Sequence, residues 1–120
     1  MKPEVKSDMK IAMPLAVSLA VLAAMAAASL LAWSMVGPDA RLATHFAFDG
    51  TPGRYAPAPV ALSIVPAAAA FATLVFAYTP RVDAKASASP RIYKGLWLFV
   101  LLALSAGHAL IVWYALSGHA

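Results

Sequence analysis

Two histidines and a few acidic and basic neighbours are the residues of this chain whose types and spacing suit chemistry. His45 lies close to Asp39, Asp49 and Arg54, and an imidazole that titrates near neutral pH is the usual general acid or base. His45 and Asp49 are four residues apart, a spacing that on a helix puts both on one face as two ligands of a metal ion. Against this stand Gly50 and Pro52, which oppose a continuing helix, and the lack of an obvious third ligand. No recognised nucleophile or metalloprotease pattern occurs, and the chain has no cysteine for a thiolate or a disulfide. The expectation is a non-enzymatic protein that needs no cofactor and no metal. His108 is the second candidate, an ionisable side chain inside an otherwise apolar run, where such residues raise a functional question by default.

The elements that must position these residues are membrane helices. Of 120 residues, 62% are hydrophobic and 12% charged, too apolar for one small domain to cover its surface in water. Uncharged runs occupy positions 11–36, 56–79 and 95–117. The first would be about 39 Å long as a helix, against a hydrocarbon core of about 30 Å. The predicted fold is therefore an all-α membrane protein with three transmembrane helices, an outer loop at 37–55 and an inner loop at 80–94, all in one domain of residues 1–120. Tyr78, Tyr93, Trp97, Trp113 and Tyr114 fall near the ends of the later spans, where amphipathic rings favour the headgroup region. A cleaved signal peptide, ending near Ala24, Met25 and Ala26, is the competing reading of the start. The apolar run is longer than a signal peptide's and continues past those residues, which favours an uncleaved helix.

Basic residues set the expected direction. Lys2, Lys6 and Lys10 precede the first span, and Arg81, Lys85, Arg91 and Lys94 follow the second, while Arg41 and Arg54 alone occupy the first loop. By the positive-inside rule the amino terminus and second loop are cytoplasmic, and the first loop and carboxyl terminus are extracytoplasmic. The net charge of +4 then reflects topology and lipid contact rather than nucleic-acid binding. The second loop, with Pro80, Pro90 and small residues between them, reads as a flexible cytoplasmic segment.

Two packing features are predicted. Ala16, Ala20, Ala24 and Ala28 belong to a row of small residues recurring every fourth position from Ala12 to Ala32, suited to close helix approach in lipid. The partner is another helix of the chain or a second copy. Pro66 lies nine residues into the second span from Pro57, and His108 nine residues before Ser117, so both sit about 13 Å below the outer surface. A proline within a helix frees the carbonyl four residues earlier, here Leu62. His108 can donate to that carbonyl, or to Ser63, Ser105 or Ser29, and so hold the bundle together.

The outer loop contains Asp49-Gly50 and Pro52-Gly53, both turn pairs, the second suited to a type II turn. Thr44, His45, Phe46, Gly50, Pro52 and Tyr55 resemble the signature Pro-Thr-His-Phe-Asn-x-x-Gly-x-Pro-Asp-x-Tyr of the bacterial SdpI-like membrane proteins. The resemblance covers the end of the first span, the loop and the start of the second. It implies an inner-membrane protein concerned with immunity to a secreted killing peptide or with relaying that peptide's presence. His45, Phe46, Gly50 and Tyr55 would form the ligand-binding loop, facing a peptide or a membrane-protein partner. Ala43, Ala47 and Gly53 depart from the signature at its first proline, its asparagine and its acidic residue. The alternative reading is a structural or accessory subunit of a membrane complex or homo-oligomer.

Because the native chain has no cysteine, the topology is open to direct labelling. Of the variants Ala47→Cys and Ser87→Cys, a membrane-impermeant thiol reagent on intact cells should label the first alone. Labelling of the second alone would invert the assignment.

Overall fold

A computed structural model describes residues 9–37 and 39–117; Lys2 and Lys6, which enter the charge argument, lie outside the described residues. The elements in order are helix α1 (Ala12–Val36), strands β1 (Arg41–Phe46) and β2 (Pro52–Pro57), helix α2 (Ala58–Val82), a 3-10 turn (Ala84–Ser87) and helix α3 (Pro90–Leu116). All three helices are long and apolar enough to cross a membrane. The chain reads as a multi-pass membrane protein with a small two-stranded sheet between its first two spans.

Burial supports the membrane reading independently of composition. In the most apolar 18-residue windows of α1, α2 and α3, 17, 22 and 22% of residues are buried, so most of each helix faces outward. Leu30, Leu31, Phe71, Leu74, Phe99 and Leu102 are each more than 60% exposed, an apolar exterior far beyond what a water-soluble monomer tolerates. Lipid is the medium in which that exterior costs nothing to expose.

The helix boundaries follow backbone chemistry rather than the limits of the uncharged runs. α1 stops where Gly37 adopts φ 92° and returns its N–H to the Trp33 carbonyl at 3.2 Å. α2 begins at Ala58, later than 56, because residues 52–57 are paired in β2. It continues through Pro80 to Val82, past the expected end at 79. α3 starts at Pro90, five residues before 95, with proline in the first turn where its missing N–H is not needed. Arg81, Arg91 and Lys94 therefore ride on helix ends, and the link shrinks to the 3-10 turn, capped by Asp83 accepting from the Lys85 amide at 2.9 Å.

On α1 the buried positions Pro14, Ser18, Met25 and Ala32, with half-buried Val21 and Ala28 between them, step by four and three residues. This 3.5-residue period keeps one seam against the neighbouring helices. The four-residue alanine row drifts about 40° per step on a 3.6-residue helix. Ala28 is consequently half-buried in the bundle, whereas Ala16, Ala20 and Ala24 are exposed.

Polar contacts between helices supply what α2 lacks. Pro66 removes the donor for the Leu62 carbonyl, and Ser29 Oγ of α1 donates to it at 2.7 Å. Pro80 removes the donor for the Phe76 carbonyl, and Tyr93 Oη of α3 donates to it at 2.6 Å. The Tyr93 ring also meets Phe76 edge-on, and Phe76 stacks on Trp97 at 5.5 Å. Trp97 Nε1 in turn donates to Ser18 Oγ at 2.8 Å, while Ser18 donates to the Pro14 carbonyl.

Tyr93→Phe keeps the ring contacts and removes one donor, and should lower the unfolding free energy by about 1 kcal/mol. In a Pro80→Ala background the backbone N–H at position 80 returns, so the same substitution should cost markedly less. Detergent titrations followed by circular dichroism measure both; an equal cost in the two backgrounds would contradict the compensation.

Candidate functional site

The loop expected to carry the site is a β-hairpin. Arg41 pairs with Pro57, Leu42 with Ala56, Ala43 with Tyr55, His45 with Arg54 and Phe46 with Pro52. The register skips Thr44 on β1 and then Gly53 on β2, so each strand carries one extra residue. At the tip, Gly50 donates to the Ala47 carbonyl and Ala47 to the Thr51 carbonyl, both at 2.9 Å. Gly50 adopts φ 88°, the left-handed residue that closes a three-residue hairpin loop. Pro52 and Gly53 lie in β2, and Gly53 has no positive φ. The expected type II turn there is thus replaced by strand, because pairing with Phe46 holds this segment extended.

Asp49 braces the tip, its Oδ1 accepting from the Thr51 hydroxyl at 2.7 Å and the Thr51 amide at 3.0 Å. The Thr51 hydroxyl first, and then its amide, hold the Asp49 carboxyl below the usual aspartate range. That leaves Asp49 as a turn-forming anion rather than a partner of His45.

The hairpin is clamped to the helices. Leu42 is fully buried in a cluster with Ala32, Ala58, Ala61, Leu62, Ile111 and Ala115, and Phe46 meets Tyr114 edge-on at 5.4 Å. The Ala58 amide donates to the Ala40 carbonyl at 2.8 Å, tying the two hairpin ends together. The four loop residues singled out by sequence therefore divide by role. His45 and Tyr55 are exposed, Phe46 is half-buried against the bundle, and Gly50 shapes the tip. Arg54, opposite His45, and Arg41 add exposed positive charge to the same hairpin. Regular counting back from the loop would set Gly53 opposite His45; the extra residue at Gly53 is what brings Arg54 there, and nothing in the sequence signals it. Phe48 at the tip is fully exposed.

Below the hairpin, His108 is 4% exposed and its Nε2 lies 2.8 Å from Ser29 Oγ. The histidine and the carbonyl freed by Pro66 are thus joined through Ser29, without a direct His108 to Leu62 bond. His108 also lines a groove of about 500 Å³ between α1 and α3, with Val21, Ala24, Met25, Ser105 and Trp113 among its walls. A smaller cavity of about 190 Å³ lies beside Ser29, bounded by Trp33, Pro59 and Ser63.

Among the described residues no group of three or more His, Cys, Asp or Glu comes together to hold a metal ion. The strand geometry of β1 also removes the helical spacing on which a His45 and Asp49 ligand pair depended. What the hairpin can do is present an imidazole, two guanidinium groups and aromatic rings on strands anchored to the helices through Leu42 and Phe46. Comparison with family models, curated proteins and solved structures returns no match for this chain.

Proposed function

We propose that the protein is a small non-enzymatic binding or signalling module of the SdpI-like kind in a bacterial cytoplasmic membrane, with its hairpin outside the cell. In this reading the amino terminus is cytoplasmic and the carboxyl terminus extracytoplasmic. The hairpin meets a secreted peptide or the outer part of another membrane protein, and His45, Tyr55 and Arg54 make the contact. Phe46 and Gly50 hold the surface in shape.

The observation that carries this reading is the division of the hairpin into buried anchors and exposed polar groups. Leu42 and Phe46 fasten it to the helix ends, whereas His45 and Arg54 pair across the strands in the open. Anchoring the strands to the helices limits the backbone freedom lost on binding, and the Arg54 guanidinium suits an anionic or carbonyl-rich peptide. Leu42 and Leu62 share one cluster, and the Leu62 carbonyl is held by Ser29. Displacement of the hairpin would therefore reach the polar contact between the helices.

Expression in a bacterium sensitive to a secreted killing peptide tests the idea. His45→Ala should abolish any protection while leaving the amount of protein in the membrane unchanged; loss of protein in proportion to protection would assign His45 to folding instead.

A second reading, an accessory subunit or homo-oligomer, is favoured by the exposure of Ala16 and Ala20 on α1. Under it, Ala20→Leu should weaken chemical crosslinking between copies in membranes, and unchanged oligomer bands would remove α1 from the interface.

A further inference from the structure

The hydrogen bonds around Ser29 determine which nitrogen of His108 is left over. A serine hydroxyl has one proton, and a carbonyl can only accept. The 2.7 Å contact from Ser29 Oγ to the Leu62 carbonyl therefore uses that proton. The 2.8 Å contact between Ser29 Oγ and His108 Nε2 then requires Nε2 to be the donor. In the neutral ring this leaves Nδ1 as a bare acceptor, and no described residue donates to it.

That acceptor belongs to a side chain that is 4% exposed and lines the groove between α1 and α3. The remaining walls are almost wholly apolar, with Val21, Met25 and Val112 along the sides and Trp113 towards the hairpin end. At about 500 Å³ the groove falls in the usual range for small-molecule sites. A lipid chain alone would fill the space but would leave Nδ1 unpaired in a low-dielectric setting, which is costly. A molecule with an apolar body and one hydroxyl satisfies both the walls and the nitrogen.

We propose that this groove binds a membrane-dissolved, mostly apolar molecule carrying a single hydroxyl donor, a phenol or long-chain alcohol, whose O–H is directed at His108 Nδ1. Trp113 offers its ring to the aromatic or aliphatic body, and Ser105, one turn before His108, adds a second polar group for a hydroxyl oxygen. Ala24, Ala28 and Ala109 keep the groove open; a larger side chain at any of them would occupy it.

The test uses the full chain in lipid nanodiscs, labelled with 15N-histidine. The protein has three histidines, and His45→Asn with His119→Asn leaves the resonances of His108 alone. 4-Nonylphenol is the probe, and its methyl ether is the control of nearly the same shape without a donor. The phenol should move the unprotonated Nδ1 resonance saturably and bind about tenfold more tightly than the ether, the factor one ordinary hydrogen bond confers. Ala109→Leu, which fills the groove without touching the Ser29 contact, should abolish the shift. Equal affinity for phenol and ether, absence of a saturable shift, or persistence of the shift in Ala109→Leu would each overturn the proposal. Because the first comparison is made with His108 and Ser29 intact, poor folding of a groove variant cannot decide it.

Discussion

A backbone carbonyl in the hydrocarbon core has no water to turn to, and α2 contains two carbonyls that its own helix cannot satisfy. Pro66 and Pro80 create this deficit at Leu62 and Phe76. α1 answers the first through Ser29 and α3 answers the second through Tyr93. The two compensations come from different helices, so α2 cannot be complete while either neighbour is displaced. Helix association in lipid lacks a hydrophobic drive, and this shared backbone requirement supplies specific contacts in its place.

The contacts between α1 and α3 add a register. Ser18 meets Trp97 and Ser29 meets His108, and both pairs are separated by 79 positions in the chain. Eleven residues therefore divide the two serines and also the two ring donors. Eleven residues are close to three helical turns, about 16.5 Å, so both pairs lie on matching faces of two helices that run in the same direction. A slide of α3 by one turn would break both pairs together. Above the upper pair, Leu42 and Phe46 rest the hairpin on this fixed frame.

Much of this architecture is legible in residue types. Three uncharged runs reveal the spans, and the equal depths of Pro66 and His108 place the histidine beside a carbonyl in need of a donor. The path through Ser29 is not legible, because it depends on which of several hydroxyls the helix rotations bring between Leu62 and His108. Pro80 escapes notice because Arg81 follows it and makes the segment resemble a loop, although the helix persists to Val82. The hairpin is hidden for a different reason. Extra residues at Thr44 and Gly53 disturb the two-residue alternation, and Pro52-Gly53 imitates a turn that cross-strand pairing overrides. For the alanine row, the four-residue repeat draws attention to one stripe while the 3.5-residue seam of Ser18, Met25 and Ala32 makes the contacts.

The unequal positions of the two compensating hydroxyls impose an order on assembly. Ser29 precedes α2 in the chain, so its hydroxyl is already available when Leu62 and Pro66 leave the ribosome. Tyr93 follows α2, and the Phe76 carbonyl must wait for it. The half of α2 nearest the hairpin can thus be sealed during synthesis, whereas the other half stays open until the start of α3 arrives. A chain that ends before residue 93 therefore lacks the hydroxyl from which the Phe76 carbonyl accepts.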